Sequence, residues 1–250
     1  MKTHDKVLNI ALPLASVAVI FGLWALAAIA VNSEYVLPTV GDTFSALFEL
    51  FKSADFYRAF FGTLFRSVIA FAISYALAFL FALSAYKSEK AKRALKPIII
   101  IIRALPTIAV VLLLVLWTNS KVAPIIVTFL VVFPTLYNNL YAALIGIDKD
   151  LNEMCKVFGV SNKKRLKKVV FPQVSPEFIS AAGAGLTLNL KLMVAAEVLS
   201  QTARSMGYLL NTSKVYFEIS TMLALVFVTV LAGLIIEWAF AFIAKKAVKR

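Results

Sequence analysis

The sequence predicts an all-α membrane protein with six transmembrane helices and one large cytoplasmic loop. Three observations predict it. Of 250 residues, 61% are hydrophobic, against about 45–50% in an ordinary soluble domain. Only 16% are charged, while Phe alone occurs 20 times. Lys and Arg gather in the segments on one side of the apolar stretches and are sparse on the other. A soluble fold of this length leaves much of its area in water and cannot hide so much apolar surface. Disorder requires low hydrophobicity and is excluded. A disulfide scaffold is excluded by the single cysteine, Cys155.

Six stretches reach the roughly 20 apolar residues that cross a bilayer. They cover about 8–31, 60–86, 97–118, 122–145, 178–201 and 220–243. Only helices or closed barrels satisfy the backbone in lipid. A barrel strand alternates in polarity, and residues 97–102 read PIIIII without alternation. The first stretch has a second reading as a cleaved signal peptide, with Ala28-Ile29-Ala30 as the cleavage site. Its apolar length, residues 7–31, exceeds the about 7–15 of a signal core. Between the first two spans, Phe44, Leu47, Phe48 and Phe51 share one helical face. The spacing predicts a short helix over 43–51, started by Gly41-Asp42 and lying along the outer membrane surface. Pro106 and Pro134 fall within spans three and four, where proline kinks a helix. The small residues at 181–185, AAGAG, allow close helix approach, in packing or at a dimer face.

Orientation follows from the basic residues. The net charge is +13, which suits either nucleic acid or an anionic membrane face. The hydrophobicity favours the membrane. The N-terminus, the loops at 87–96 and 146–177 and the C-terminus carry eighteen Lys and Arg, against five on the opposite side. Both termini and both basic loops are therefore expected in the cytoplasm. The whole chain, 1–250, reads as one transmembrane domain, with the loop at 146–176 inside it.

That loop predicts two short helices. Leu151, Met154, Cys155 and Phe158 recur at helical spacing behind Asp148 or Asp150 as the cap. Gly159 ends the first helix by taking a left-handed backbone. Ser161 caps the second, whose apolar face is Leu166, Val169 and Val170, and Pro172 ends it. The hairpin reads either as a docking element or as a solvated basic loop.

The pattern Glu153-x-x-x-x-x-Gly159, then Val169-Val-Phe-Pro172 and Pro176, resembles the EAA loop of permease subunits from binding-protein-dependent ABC importers. The nitrate, sulfonate and taurine subfamily is the most similar. Thr63-Leu-Phe-Arg66, Arg103-Ala-Leu-Pro106, Ala195-Ala-Glu197 and Met206-Gly-Tyr208 extend the resemblance over most of the chain from about residue 36. Met154 and Cys155 stand where the family has alanines, Ala181 where it has glycine, and Met206 before Gly207 where Gly-Leu-Gly is usual.

The resemblance implies a type I importer permease whose loop couples to a separate ATP-hydrolysing subunit. The coupling residues would be Glu153, Gly159, Val160, Ser161, Asn162 and Lys163. This chain has no G-x-x-x-x-G-K-[ST] phosphate loop, so ATP and magnesium are expected on the partner and no cofactor on this chain. Expected partners are an ATPase dimer, a periplasmic or lipid-anchored binding protein, and a second permease copy in a homodimer. The location implied is the bacterial inner membrane. Small sulfonates, nitrate and vitamin-precursor heterocycles all suit the family as substrates.

Ionisable groups inside spans are costly and point to function. By their distance from the span ends, Arg66 and Glu197 share the outer half and Arg103 and Glu237 the inner half. Each pair is expected to form an ion pair, as a brace or as a gate. Lys191 has no depth-matched partner and is expected to touch an anionic substrate, line the water path or reach a carbonyl. Asn138, Tyr141 and Asn189, with Arg103 and Lys191, are candidates for the path. No catalytic site is expected: His4 is in the tail, Cys155 has no histidine near it, and no Cys/His spacing suggests a metal. Nucleic acid is not an expected partner. The alternative is a stand-alone secondary transporter or channel, which would usually bring more spans and an internal repeat.

Overall fold

The computed structural model describes residues 3–248, without the side chains of residues 3–10, 149, 152, 156, 162 and 248. The His4 and Asn162 side chains and the cationic groups of Lys2 and Lys6 lie outside the described residues. Eleven α-helices follow one another among the described residues. In chain order they are α1 (Thr3–Val31), α2 (Val40–Lys52), α3 (Ala54–Lys87), α4 (Glu89–Ala104), α5 (Thr107–Trp117), α6 (Ala123–Ile145), α7 (Lys149–Val157), α8 (Asn162–Arg165), α9 (Phe171–Ser200), α10 (Met206–Val215) and α11 (Ile219–Val248). Among the described residues, five stretches are long and apolar enough to cross a membrane: Ala11–Val31, Ala54–Lys87, Ala123–Ile145, Lys163–Ser200 and Ile219–Ala247. The pair α4 and α5 makes a sixth if it is one broken span.

That break corrects the expectation of a single helix over 97–118. The two helices meet at 90°. Pro106 lacks an N–H, and its ring drives the preceding residue out of the helical region. Leu105 accordingly sits at φ −65°, ψ 127°. The loop expected at 87–96 is also mostly helix. Ser88 caps α4 by accepting the Ala91 N–H at 3.3 Å, and Glu89 pairs with Lys92 at 3.6 Å. Pro134, in contrast, lies inside an unbroken α6.

The chain divides into two compact units. One comprises Met1–Tyr57 and Leu209–Val228, and the other Arg58–Tyr208 and Thr229–Arg250. In the first, α2 starts at Val40, earlier than the sequence spacing suggests, because Thr39 builds a capping box with Asp42. Thr39 Oγ1 accepts the Asp42 N–H, and Asp42 Oδ2 accepts the Thr39 N–H, both at 3.2 Å. Trp24 Nε1 donates to the Pro38 carbonyl at 3.1 Å, and the Phe44 and Phe227 rings meet edge to face at 5.7 Å.

In the second unit, α6 and α9 pack side by side. Leu136, Leu140, Val132 and Phe133 of α6 are buried with Ala78 and Ala82 of α3 and Ala181 of α9. Glycine permits the approach. A Cβ at Gly185 would sit 2.6 Å from Leu136 Cδ2, and one at Gly183 would meet Phe240. The small residues at 181–185 therefore serve packing within the chain. Gly185→Leu is expected to force α6 off α9 and cost about 1–3 kcal/mol by overpacking. A thermal unfolding midpoint unchanged from the parent would rule this out.

Candidate functional site

The hairpin at Gly159 is built by its caps. Asp148 Oδ1 accepts the N–H groups of Asp150 at 2.9 Å and Leu151 at 3.2 Å, so Asp148 rather than Asp150 starts α7. Gln173 Oε1 accepts the Asp148 N–H at 2.9 Å and ties this start to α9. At the other end Gly159 is left-handed, with φ +63°. The Val160 N–H donates to the Cys155 carbonyl at 2.9 Å, the six-to-one bond of a Schellman turn. Asp148→Ala is expected to weaken α7 by about 1 kcal/mol. Amide hydrogen exchange over residues 149–157 should quicken, and unchanged exchange would refute the cap.

The apolar stripe of α7 splits in two. Cys155 is buried, whereas Val157 and Phe158 are 83% and 77% exposed. The tip therefore presents an apolar pair beside the Gly159 turn. The coupling set implied by the resemblance includes Val160, Ser161 and Asn162 but neither Val157 nor Phe158; two adjacent apolar residues just ahead of a glycine turn are the signal the sequence offers for them. Val160, Ser161 and Lys163 are exposed. Glu153 lines a cavity of about 480 Å³ with Tyr86, Glu89, Tyr141 and Arg165, and Arg165 Nε is buried there without a partner.

The second hairpin helix does not end at Pro172. After α8 the backbone takes one π-helical turn, Leu166–Val170, and runs straight into α9. The Phe171 N–H donates to the Leu166 carbonyl, five residues back. The wider turn shifts the bonding register, and Pro172 falls in the first turn of α9, where its missing N–H leaves no gap.

The path candidates separate. Asn189 is fully buried, with Ser67 Oγ donating to its Oδ1 at 2.8 Å and its Nδ2 unpartnered. It faces the packing of α3 on α9 rather than an open path. Arg103 and Lys191 are exposed. Tyr141 stacks on Tyr137, their centroids 6.0 Å apart, and Lys92 Nζ lies 5.8 Å from its ring. Asn138 is half-buried, while its neighbour Asn139 lines an open groove of about 590 Å³ between α6 and α9, with Gln173, Glu177 and Ser180.

Of the two expected ion pairs, the structure brings one together. Glu197 has no exposed surface, and its Oε1 lies 2.7 Å from Arg66 Nη2 and accepts from Arg66 Nε at 2.8 Å. Arg103 and Glu237 form no ion pair. Both are exposed, because the break at Leu105–Pro106 ends α4 just beyond Arg103 and removes the straight span on which their common depth rested. Among the described residues, no group of three or more His, Cys, Asp or Glu gathers that could hold a metal ion.

Around Glu197 the network reaches the turn that follows α9. Thr63 Oγ1 donates to Glu197 Oε2 at 2.7 Å and accepts the Met206 N–H at 2.9 Å. The Gly207 N–H donates to Glu197 Oε2 at 3.4 Å, and Arg66 Nη2 reaches the Arg204 carbonyl at 3.5 Å. Thr63 and Gly207 appear in the sequence motifs, but their part in this cluster was not legible there.

Residues 74–249 match the family described as binding-protein-dependent transport system inner membrane component. The chain belongs to that family. It is 22% identical over 234 residues to the putative aliphatic sulfonates transport permease protein SsuC of Bacillus subtilis, covering 93% of this chain and 84% of that one. It is 23% identical to the formylaminopyrimidine transport permease protein ThiX of Halalkalibacterium halodurans, over 85% of each. Its fold is similar to a chain of a bacterial alginate ABC transporter solved with an alginate-bound periplasmic protein, with a TM-score of 0.65, 15% identity and 98% of both chains covered. As a family member this ABC importer permease is a transport component, and its all-helical fold is that of type I importers.

Proposed function

We propose that this permease forms the translocation path of its importer and takes ATP-driven motion through the hairpin at Gly159. One observation carries the reading: Val157 and Phe158 stand exposed at a tip whose backbone is fixed by the Gly159 turn. An apolar helix end so presented suits a groove on another protein. The occupant is the ATPase dimer, which binds ATP and magnesium; Glu153, Val160, Ser161, Asn162 and Lys163 flank the contact. Closure of that dimer passes into the spans as rigid-body motion.

Two copies of the chain pair in the bacterial inner membrane, with both termini in the cytoplasm, and a periplasmic or lipid-anchored binding protein delivers substrate. The substrate is a small anion such as a sulfonate or nitrate, or a vitamin-precursor heterocycle. The names of the two relatives support that range, and the cationic groups of Arg103 and Lys191 on apolar helices favour an anion. Arg103, Lys191, Asn138 and Tyr141 are the residues proposed for the path. Affinity purification of the intact chain from its own membranes tests the reading. It should bring down an ATP-hydrolysing subunit. A chain that transports alone under an ion gradient, with no ATPase bound, would sink it.

A further inference from the structure

We propose that Glu197, Thr63 and Arg66 form a latch that stays closed through transport. It holds the outer turn, residues 201–206, on α3, so that α3, α9 and this turn move as one body. In this latch Thr63 is a positioning residue: it touches no substrate but joins the carboxylate to the turn.

Three features carry the inference. First, the polar groups are saturated. Glu197 Oε1 accepts from Arg66 Nε and lies 2.7 Å from Nη2, and Oε2 accepts from Thr63 Oγ1 and the Gly207 N–H. The Thr63 hydroxyl both donates and accepts, taking the Met206 N–H. Opening the turn would strip the buried Met206 N–H of its Thr63 acceptor and Glu197 of the Gly207 N–H in a low-dielectric setting, where unpaired polar groups are most costly. Second, there is no clearance for sliding. A Cβ on Gly62 would stand 2.8 Å from the Arg204 carbonyl oxygen, and one on Gly207 would overlap Glu197.

Third, the turn is stiff in itself. Gln201 and Arg204 hold left-handed backbones at φ +50° and +53°. Such conformations persist where the surroundings over-determine them. Here buried hydroxyls do so: Ser200 and Thr202 bond to each other at 2.8 Å, and Ser205 Oγ donates to the Thr202 carbonyl at 2.6 Å. Thr202 also donates to the Ser120 carbonyl, adding a tie to the segment between α5 and α6.

The test uses full-length chain in lipid nanodiscs, with Cys155→Ser as background and spin labels on Phe61→Cys and Ala203→Cys, both exposed positions. The latch gives one narrow distance distribution. Thr63→Val should broaden it and Thr63→Ser should restore it; a Thr63→Val distribution as narrow as the parent overturns the proposal. A second arm rests on the ATP-driven reading above and keeps Thr63 native. In complex with the ATPase, the distance should be the same without nucleotide and in the vanadate-trapped state. A shift of about one helical turn, about 5 Å, overturns the latch. Failure to recover any ATPase instead sinks the functional reading and leaves the first arm to decide.

Discussion

The Phe158→Asp protein is expected to reach the membrane folded and to lose ATP-driven uptake. Phe158 is 77% exposed and contributes little to the fold, and exposed substitutions usually change stability by less than about 0.5 kcal/mol. In a complex the same ring would be a buried anchor. Large aromatic anchors lost from an interface cost about 2 kcal/mol or more, and a carboxylate placed there adds desolvation. ATPase recovered with the variant should fall by more than about tenfold, since 1.4 kcal/mol is one decade in affinity. Gly159→Val supplies a second approach through the backbone. A side chain at φ +63° carries a strain of about 1–2 kcal/mol. Normal uptake and normal ATPase recovery in Phe158→Asp would remove the hairpin from the coupling scheme.

Glu197→Ala is the substitution expected to damage the fold most. It leaves the Arg66 guanidinium, only 16% exposed, without its counter-charge. It also strips an acceptor from Thr63 and from the Gly207 N–H. Breaking one side of a buried pair costs about 3–5 kcal/mol. Replacing both partners is gentler, because no lone charge remains. Glu197→Leu with Arg66→Met should therefore unfold at a higher temperature than Glu197→Ala alone. Thermal unfolding in detergent reads both, and equal midpoints for the single and double variants would contradict the account.

What the sequence made legible was whatever depends on composition and local spacing. The apolar lengths gave the spans, and Gly159 after a helical stripe gave the hairpin turn. Arg66 and Glu197 could be matched because each lies on an unbroken helix, so distance from the span end measured depth. Arg103 and Glu237 failed the same reasoning because Pro106 breaks the helix rather than kinking it, and a broken helix no longer measures depth. Asn189 read as a path residue because a polar group in a span suggests water. Its acceptor instead meets Ser67, a partner 122 positions away that no local pattern reveals. Pro172 read as a stop because proline ends a helix that keeps its four-residue register. One wider turn ahead of it changes that register, and nothing in the residue types of 166–170 announced it.

The uninterrupted passage from the hairpin into α9 has a mechanical corollary. Lys163–Ser200 is a rod of 38 residues, about 57 Å long at about 1.5 Å per residue. On the proposed coupling, a push at the hairpin would enter the span through this one continuous helical stretch. A pivot near Glu197 makes the opposite tip the long arm of an oar. A swing of about 5° would then carry that tip through roughly 4 Å, given the same rise per residue, while the fulcrum stays almost still.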